Sequence, residues 1–197
     1  MITVENQLFS LHTRHTSYLF RVMETGHLEH LYYGRKIHPA IDGLMEQHAF
    51  APGNTNIYDS EHLQFSLEDA CLEMSSFGKG DIREPFVELT LSDGSETSDF
   101  LFEKFEQGTG KEEFETLPGS YDESGEVEWL GVTLRDKNSG VILELHYYVY
   151  EDCDVITRSA KLINESGDVV KLNRLMSLQL DLEPSDYVFT TVSYTHL

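Results

Sequence analysis

The sequence predicts an all-β fold, a large antiparallel β-sandwich interrupted by one long irregular excursion. Three observations predict it. Apolar and polar residues alternate with a period of two along much of the 197-residue chain. Short polar connections that contain glycine, at 92–95, 136–140 and 164–168, separate the alternating segments and predict tight hairpins. Many short strands at even spacing are typical of a sandwich or a barrel.

The predicted strands share a composition rich in β-branched and aromatic residues. The clearest is 141–150, whose odd-numbered residues from Val141 to Val149 fall on one apolar face. Seven further segments are predicted to be extended: 17–23, 28–33, 86–91, 99–105, 126–134, 155–163 and 172–182.

The alternation is lost between residues 36 and 80, which predicts the long excursion. Ser66 opens a Ser-Leu-Glu-Asp sequence that favours a capped helical turn through Met74. A stretch of this length is typical of a functional segment, of an interface, or of a packed Ω-type loop that covers a sheet edge, and the sequence leaves these alternatives open. A second irregular segment, 107–126, is acidic and is predicted to be a solvated loop.

Composition bounds the possible partners. Hydrophobic residues make up 40% of the chain and aromatic residues 11%, which excludes a disordered chain. The 35 acidic and 14 basic residues give a net charge of −21, which argues against nucleic acid or an anionic membrane as partner.

No apolar run is long enough to span a bilayer. Residues 1–7 lack the features of a secretory signal, so a cytoplasmic protein is expected, with Cys71 and Cys153 as half-buried reduced thiols.

The sequence shows no nucleotide-binding, metalloprotease or hydrolase motif, and neither a metal nor a cofactor is predicted. His27 and His30 are three apart in a predicted strand, where such positions face opposite ways, and His12 and His15 span a predicted turn. The many carboxylates are predicted to form mainly solvated faces.

Two arginines are predicted to form ion pairs with structural roles. Arg158 shares a strand face with Ile156, Ala160 and Leu162, and a charge on an apolar face requires a partner. Arg83, in the segment GKGDIREP, is interpreted in the same way.

Six short segments occur in a distinctive order along the chain. They are GHLEHLYYG at 26–34, HAFAP at 48–52, GKGDIREP at 78–85, LPG at 117–119, DVITRSAKLIN at 154–164 and DY at 186–187. Each is weak alone, but their order and spacing agree across almost the whole chain. The chain thereby resembles the N-terminal β-sandwich domain of family 36 glycoside hydrolases, the bacterial α-galactosidases.

The resemblance implies an enzyme of three parts: this sandwich, a (β/α)₈ barrel with both catalytic aspartates of a retaining mechanism, and a small C-terminal β-domain. The barrel is absent from these 197 residues. No catalytic residue is therefore assigned in the chain. The whole protein is expected to be a homotetramer that hydrolyses terminal α-galactosyl residues of oligosaccharides such as raffinose and melibiose. The chain itself is expected to act in assembly and in shaping the substrate pocket.

The resemblance also implies two substrate-binding residues, Gln47 and Phe50. In tetrameric members of the family, the loop that matches 45–52 reaches the active site of a neighbouring subunit. Some relatives place a substrate-contacting aspartate where this chain has Gln47. An amide still bonds a sugar hydroxyl, but without the stronger charge-assisted bond. Phe50 either forms an apolar wall of the pocket or anchors the loop in the domain's own core.

The last six residues, VSYTHL at 192–197, resemble the translation of a transposon-type sequencing adaptor. We therefore expect 1–191 to be the N-terminal domain of an α-galactosidase in a C-terminally truncated fragment, and 192–197 to be a non-native tail. The alternative is a stand-alone carbohydrate-binding or assembly β-sandwich module.

Overall fold

The computed structural model describes residues 1–38, 57–113, 119–182, 188 and 190. These residues form an all-β structure in which short strands follow one another along the chain. The strands are β1 (Ile2–Glu5), β2 (Leu8–His12), β3 (Thr16–Val22), β4 (Leu28–Arg35), β5 (Val87–Thr90), β6 (Phe100–Thr109), β7 (Glu128–Asp136), β8 (Ile142–Tyr150), β9 (Val155–Ile163) and β10 (Lys171–Leu175).

The strands form two four-stranded sheets and one two-stranded sheet. The first sheet has the order β1-β2-β3-β4, the second β6-β7-β8-β9, and β10 pairs with β5. All of these pairings are antiparallel. The predicted antiparallel sandwich is confirmed.

The core lies between the inner faces of the sheets. Phe9 and Phe20 of the first sheet stack with centroids 4.7 Å apart, and Phe20 stacks on Tyr147 of the second sheet at 5.1 Å. The predicted apolar face of 141–150 is confirmed, because its five residues all belong to this core: Val141, Leu143, Leu145, Tyr147 and Val149. Such close aromatic packing is the main source of hydrophobic stabilisation in a sandwich.

The first hairpin, formed by β1 and β2, was not predicted from the sequence. β1 and β2 are joined by Asn6 and Gln7, whose φ values of 50° and 62° correspond to a two-residue turn with both residues left-handed. Glutamine is unusual at such a position, so the local turn chemistry gave no signal.

The predicted connections need correction. The turn at 136–140 joins the paired strands β7 and β8 as expected. The Asp93-Gly94 turn instead links β5 to β6, which lie in different sheets, and 164–168 likewise links β9 to β10. β6 extends to Thr109 into the segment that was predicted to be a loop, whereas β10 ends at Leu175, short of the predicted residue 182.

The described part of the excursion, 57–80, has little regular structure, as predicted. Its helical element is a single 3₁₀ turn, Leu67–Asp69, for which Ser66 makes no side-chain cap bond, so the predicted capped turn through Met74 is wrong. Cys71 and Cys153 are not in a disulfide, and both are exposed rather than half-buried. No helix within the described ranges has the length and apolarity that crossing a membrane requires.

Candidate functional site

Gln47 and Phe50, the two predicted substrate-binding residues, lie in 39–56, outside the described residues. The structure defines how the chain is held on both sides of that segment. On the N-terminal side, the backbone N–H of Lys36 donates to the His15 carbonyl at 2.6 Å, and that of Ile37 donates to Ser17 Oγ at 3.0 Å. The end of β4 is therefore fixed against β3 before the segment begins.

On the C-terminal side, the chain is fixed by a buried carboxylate, Asp99, immediately before β6. The Tyr58 hydroxyl donates to Asp99 Oδ2 at 2.9 Å, and His27 Nε2 donates to Asp99 Oδ1 at 3.0 Å. The Tyr58 ring meets the His27 ring edge-on, and Lys79 Nζ lies 4.7 Å from the Tyr58 ring centroid and 4.0 Å from Asp99 Oδ2. We call these four residues the Asp99 cluster.

The Asp99 cluster favours an ionised carboxylate. Burial opposes ionisation of Asp99, but the hydrogen bonds and charge of His27, the Tyr58 hydroxyl and the Lys79 ammonium outweigh it and lower the Asp99 pKa. Burial, together with the Asp99 charge, raises the Tyr58 pKa, so the phenol stays a donor. The cluster thus ties the excursion to the connection between β3 and β4.

A second buried carboxylate, Glu73, lies between the two large sheets. Its oxygens accept bonds from the hydroxyls of Tyr18 at 2.7 Å and Tyr147 at 2.7 Å. Arg158 Nη1 lies 2.8 Å from Glu73 Oε1, and Arg158 Nη2 donates to the Glu73 carbonyl at 2.8 Å. His30 Nδ1 lies 3.3 Å from Glu73 Oε2. We call these five residues the Glu73 cluster.

The Glu73 cluster joins three parts of the fold, because Tyr18 and His30 belong to the first sheet, Tyr147 and Arg158 to the second, and Glu73 to the excursion. Glu73 is fully buried. Burial alone would raise its pKa, but Arg158, His30 and Tyr18 together lower it, so the carboxylate stays charged. A sealed, fully bonded carboxylate cannot reach a substrate, and its role is to position the excursion.

The two predicted arginine ion pairs are confirmed. Arg158 pairs with Glu73, whereas Arg83 pairs with Asp81 and Asp181 at 2.9 Å each and is only partly buried. Arg83 also donates to the carbonyls of Leu67 and Ala70, and so connects both sides of the 3₁₀ turn to the chain after β10.

Sequence reasoning did not find Glu73 or Asp99. The apolar face around Arg158 signalled that a buried carboxylate existed, but could not select one from 35 acidic residues. Glu73 lies outside the predicted strands, and Asp99 is the first residue of one. At such positions the period-two alternation carries no information about burial.

The histidines that were considered as ligands lie in separate contacts. His12 bonds Ser17, His15 bonds Asp154, His27 bonds Asp99, and His30 adjoins Glu73. Among the described residues, no group of three or more histidine, cysteine or acidic side chains is arranged to hold a metal ion.

Comparison with known proteins identifies relatives in sequence and in structure. The bifunctional α-galactosidase/sucrose kinase AgaSK of Mediterraneibacter gnavus is 30% identical over 92% of this chain, and α-galactosidase AgaA of Geobacillus stearothermophilus is 30% identical over 93%. The crystal structure of the α-galactosidase from Lactobacillus brevis superposes on 91% of the chain with a TM-score of 0.85 and 34% identity.

The chain spans about a quarter of these relatives or less: 19% of AgaSK, 25% of AgaA and 25% of the Lactobacillus brevis chain. The sequence profile of the glycosyl hydrolase family 36 N-terminal domain matches residues 26–196. This match covers most of the chain and agrees with the sandwich fold. The chain therefore belongs to the glycosyl hydrolase family 36 N-terminal domain family.

Proposed function

We propose that this chain is the N-terminal domain of an α-galactosidase, a retaining glycoside hydrolase that removes terminal α-galactosyl residues from oligosaccharides such as raffinose and melibiose. The observation that carries the proposal is the match of nine-tenths of the chain, in sequence and in fold, to one quarter of α-galactosidases. Variants of AgaA from Geobacillus stearothermophilus have been crystallised in complex with raffinose and with stachyose.

In this proposal the domain itself does not catalyse. Retaining hydrolysis needs two carboxylates, about 5 Å apart, that both reach the sugar. Glu73 and Asp99, the two carboxylates at the base of the excursion, are buried and bonded to partners within the domain. The domain instead acts in assembly and in shaping the substrate pocket, and the catalytic acids come from the barrel.

We propose Gln47 and Phe50 as the substrate-binding residues of this domain. The Glu73 and Asp99 clusters support the proposal because they fix the chain that follows residues 39–56, while Ile37 fixes the chain that precedes them. Anchoring the chain on both sides lowers the conformational entropy that binding by the segment would cost.

We also propose a cytoplasmic homotetramer that binds no cofactor, no nucleic acid and no membrane. Two exposed cysteines without a disulfide suit a reducing compartment. A net charge of −21 repels phosphate backbones and anionic lipid surfaces.

The test is to express the complete protein from its continuous reading frame beyond residue 191 and to measure galactose release from raffinose. We expect release by the complete protein and none by the purified 197-residue chain. Turnover that follows the purified chain would contradict a non-catalytic role, and a complete protein without α-galactosidase activity would contradict the proposed enzyme. The same reading frame shows whether 192–197 belong to the natural sequence.

In the complete enzyme, Gln47→Ala is expected to raise the KM for raffinose by about two- to tenfold, the loss of one neutral hydrogen bond. Gln64→Ala removes an exposed amide elsewhere in the excursion and serves as the matched control, with an unchanged KM. An unchanged KM and kcat in Gln47→Ala would remove this residue from the site. A raised KM in Phe50→Ala supports a pocket wall, whereas a lowered melting temperature alone supports the core-anchor alternative.

A further inference from the structure

The outer face of the sheet β6-β7-β8-β9 points away from the core and forms a groove of about 550 Å³. Strand register arranges the face in three rows across the sheet. The rows are Gly108–Trp129–Tyr148, Glu106–Gly131–His146 and Lys104–Thr133–Glu144, and Lys161 of β9 continues the third row. We call this surface the outer groove. Its volume lies within the range of small-ligand sites, and none of its lining residues belongs to the excursion.

Trp129 packs against two glycines in the outer groove, Gly108 of the neighbouring strand and Gly131 of its own strand. A Cβ atom at Gly108 would lie 2.9 Å from Trp129 Nε1, and one at Gly131 would lie 3.5 Å from Trp129 Cζ3. The indole ring thus occupies the space that a side chain at Gly108 would need, and it lies in van der Waals reach of a Cβ atom at Gly131. A half-buried tryptophan that packs one face on the sheet offers the other face to a ligand.

Polar groups of both signs surround the ring. Lys104 pairs with Glu106 at 2.8 Å, and Lys161 lies 3.5 Å from Glu144. Lys111 and Glu112 complete a lining of three lysines and three glutamates. The lining therefore has equal numbers of lysines and glutamates, whereas the chain as a whole has a net charge of −21. It provides strong donors and strong acceptors, and the lysine and glutamate charges of the lining balance one another.

We propose that the outer groove binds a neutral saccharide. The indole of Trp129 stacks on the apolar face of a pyranose ring, while Lys104, Glu144 and His146 exchange hydrogen bonds with its hydroxyls. Sugar hydroxyls both donate and accept, which matches the paired charges, and an uncharged ligand is not repelled by the acidic chain. This site goes beyond the proposed function, because it needs neither the barrel nor residues 39–56.

Trp129 is the only tryptophan of the chain, so its fluorescence reports on the outer groove alone. The 197-residue chain is titrated with raffinose and stachyose, with sorbitol at equal concentration as an acyclic control. We expect a saturable change in emission with both saccharides and none with sorbitol. No saturable change with either saccharide, or an equal change with sorbitol, would overturn the proposal.

Variants locate the binding site. Gly131→Val places a side chain beside the indole and is expected to weaken binding at least tenfold, measured by fluorescence and by calorimetry. Trp129→Ala, measured by calorimetry alone, is expected to weaken binding about tenfold through loss of the stacked ring. Tyr33→Ala removes a half-exposed aromatic ring from the other large sheet and should bind as well as the parent chain.

Circular dichroism and thermal melting establish that each variant is folded. If Gly131→Val does not fold, Lys161→Ala, which changes an exposed side chain at the groove edge, takes its place with an expected loss of two- to fivefold. Binding that persists unchanged in both a folded groove variant and Trp129→Ala would place the saccharide elsewhere and overturn the proposal. Loss of α-galactosidase activity in the complete protein would not affect this result, so the two proposals fail separately.

Discussion

Glu73 and Asp99 are both buried carboxylates at the base of the excursion, but they are compensated in different ways. Glu73 is paired with an arginine and two tyrosines that come from both large sheets. Asp99 is held by a histidine, a tyrosine and a more distant lysine, and two of these three belong to the excursion. The comparison indicates that Glu73 integrates the core, whereas Asp99 attaches a loop to the edge of a sheet.

The largest expected effect comes from removing the cation of the Glu73 cluster. Arg158→Met leaves a charged carboxylate in a sealed core, and the free energy of unfolding is expected to fall by about 3–5 kcal/mol. The measurement is chemical denaturation followed by circular dichroism. Arg135→Met breaks an exposed pair with Glu103 and serves as the control, with an expected loss of about 1 kcal/mol or less.

The double variant Glu73→Gln with Arg158→Met separates charge from packing. Because it leaves no buried charge, it is expected to regain part of the stability that Arg158→Met loses. A double variant less stable than Arg158→Met would show that the bonds from Tyr18 and Tyr147 to the ionised carboxylate outweigh the cost of its buried charge.

Asp99→Asn is expected to have a smaller and more local effect. The amide keeps the size of the side chain but weakens the bonds to His27 and Tyr58, with a loss of about 1–3 kcal/mol. We also expect faster hydrogen exchange in 57–70 while β8 stays protected, because the loop opens without the core. Asp93→Asn, in an exposed turn, is the control and should change neither quantity. Equal acceleration in β8 would contradict the local role of Asp99.

The two clusters also predict how stability depends on pH. The pKa values of Glu73 and Asp99 are lower in the folded state than their ordinary values of 4.5 and 3.8. Each carboxylate therefore contributes stability that is complete above its ordinary pKa and is lost as the pH falls through the lower folded-state pKa. The contribution of these two groups to the free energy of unfolding should be nearly constant above about pH 5 and decline below about pH 4.

The loss of stability at acid pH can be assigned to Glu73 by measuring it in a variant. Glu73→Gln removes the buried titrating group, so its unfolding free energy should decline less steeply below about pH 4 than that of the parent chain. A parallel decline in both proteins would assign the acid sensitivity to other carboxylates, such as Asp154, whose bonds to His15 and Thr13 lower its pKa to about 2.

The difference between the regular strands and the irregular excursion explains which features could be predicted from the sequence. Regular alternation in 141–150 and in β9 predicted both the strands and the side of the core, because period-two burial is a local property. Arg158 on an apolar face predicted a buried partner for the same reason. The choice of Glu73 as that partner depends on how a loop of irregular structure returns to the sheets. The hairpin predicted at Asp93-Gly94 was wrong for a similar reason. The dipeptide specifies a turn, but it does not specify which sheets the flanking strands join.

The smallest expected effects come from removing a single tyrosine hydroxyl from each cluster. Tyr58→Phe and Tyr147→Phe each remove one hydroxyl donor, from Asp99 and from Glu73 respectively, and leave the ring in place. Tyr147→Phe is expected to cost about 1.5 kcal/mol of unfolding free energy, because no water reaches a fully buried carboxylate to replace the bond. Tyr58→Phe is expected to cost about 0.5–1 kcal/mol, since the Lys79 ammonium lies nearby and the loop can admit water. The exposed Tyr121 provides the control, and Tyr121→Phe should be neutral. If Tyr58→Phe is as costly as Tyr147→Phe, Asp99 is as tightly sealed as Glu73, and the excursion is part of the core rather than a loop attached to it.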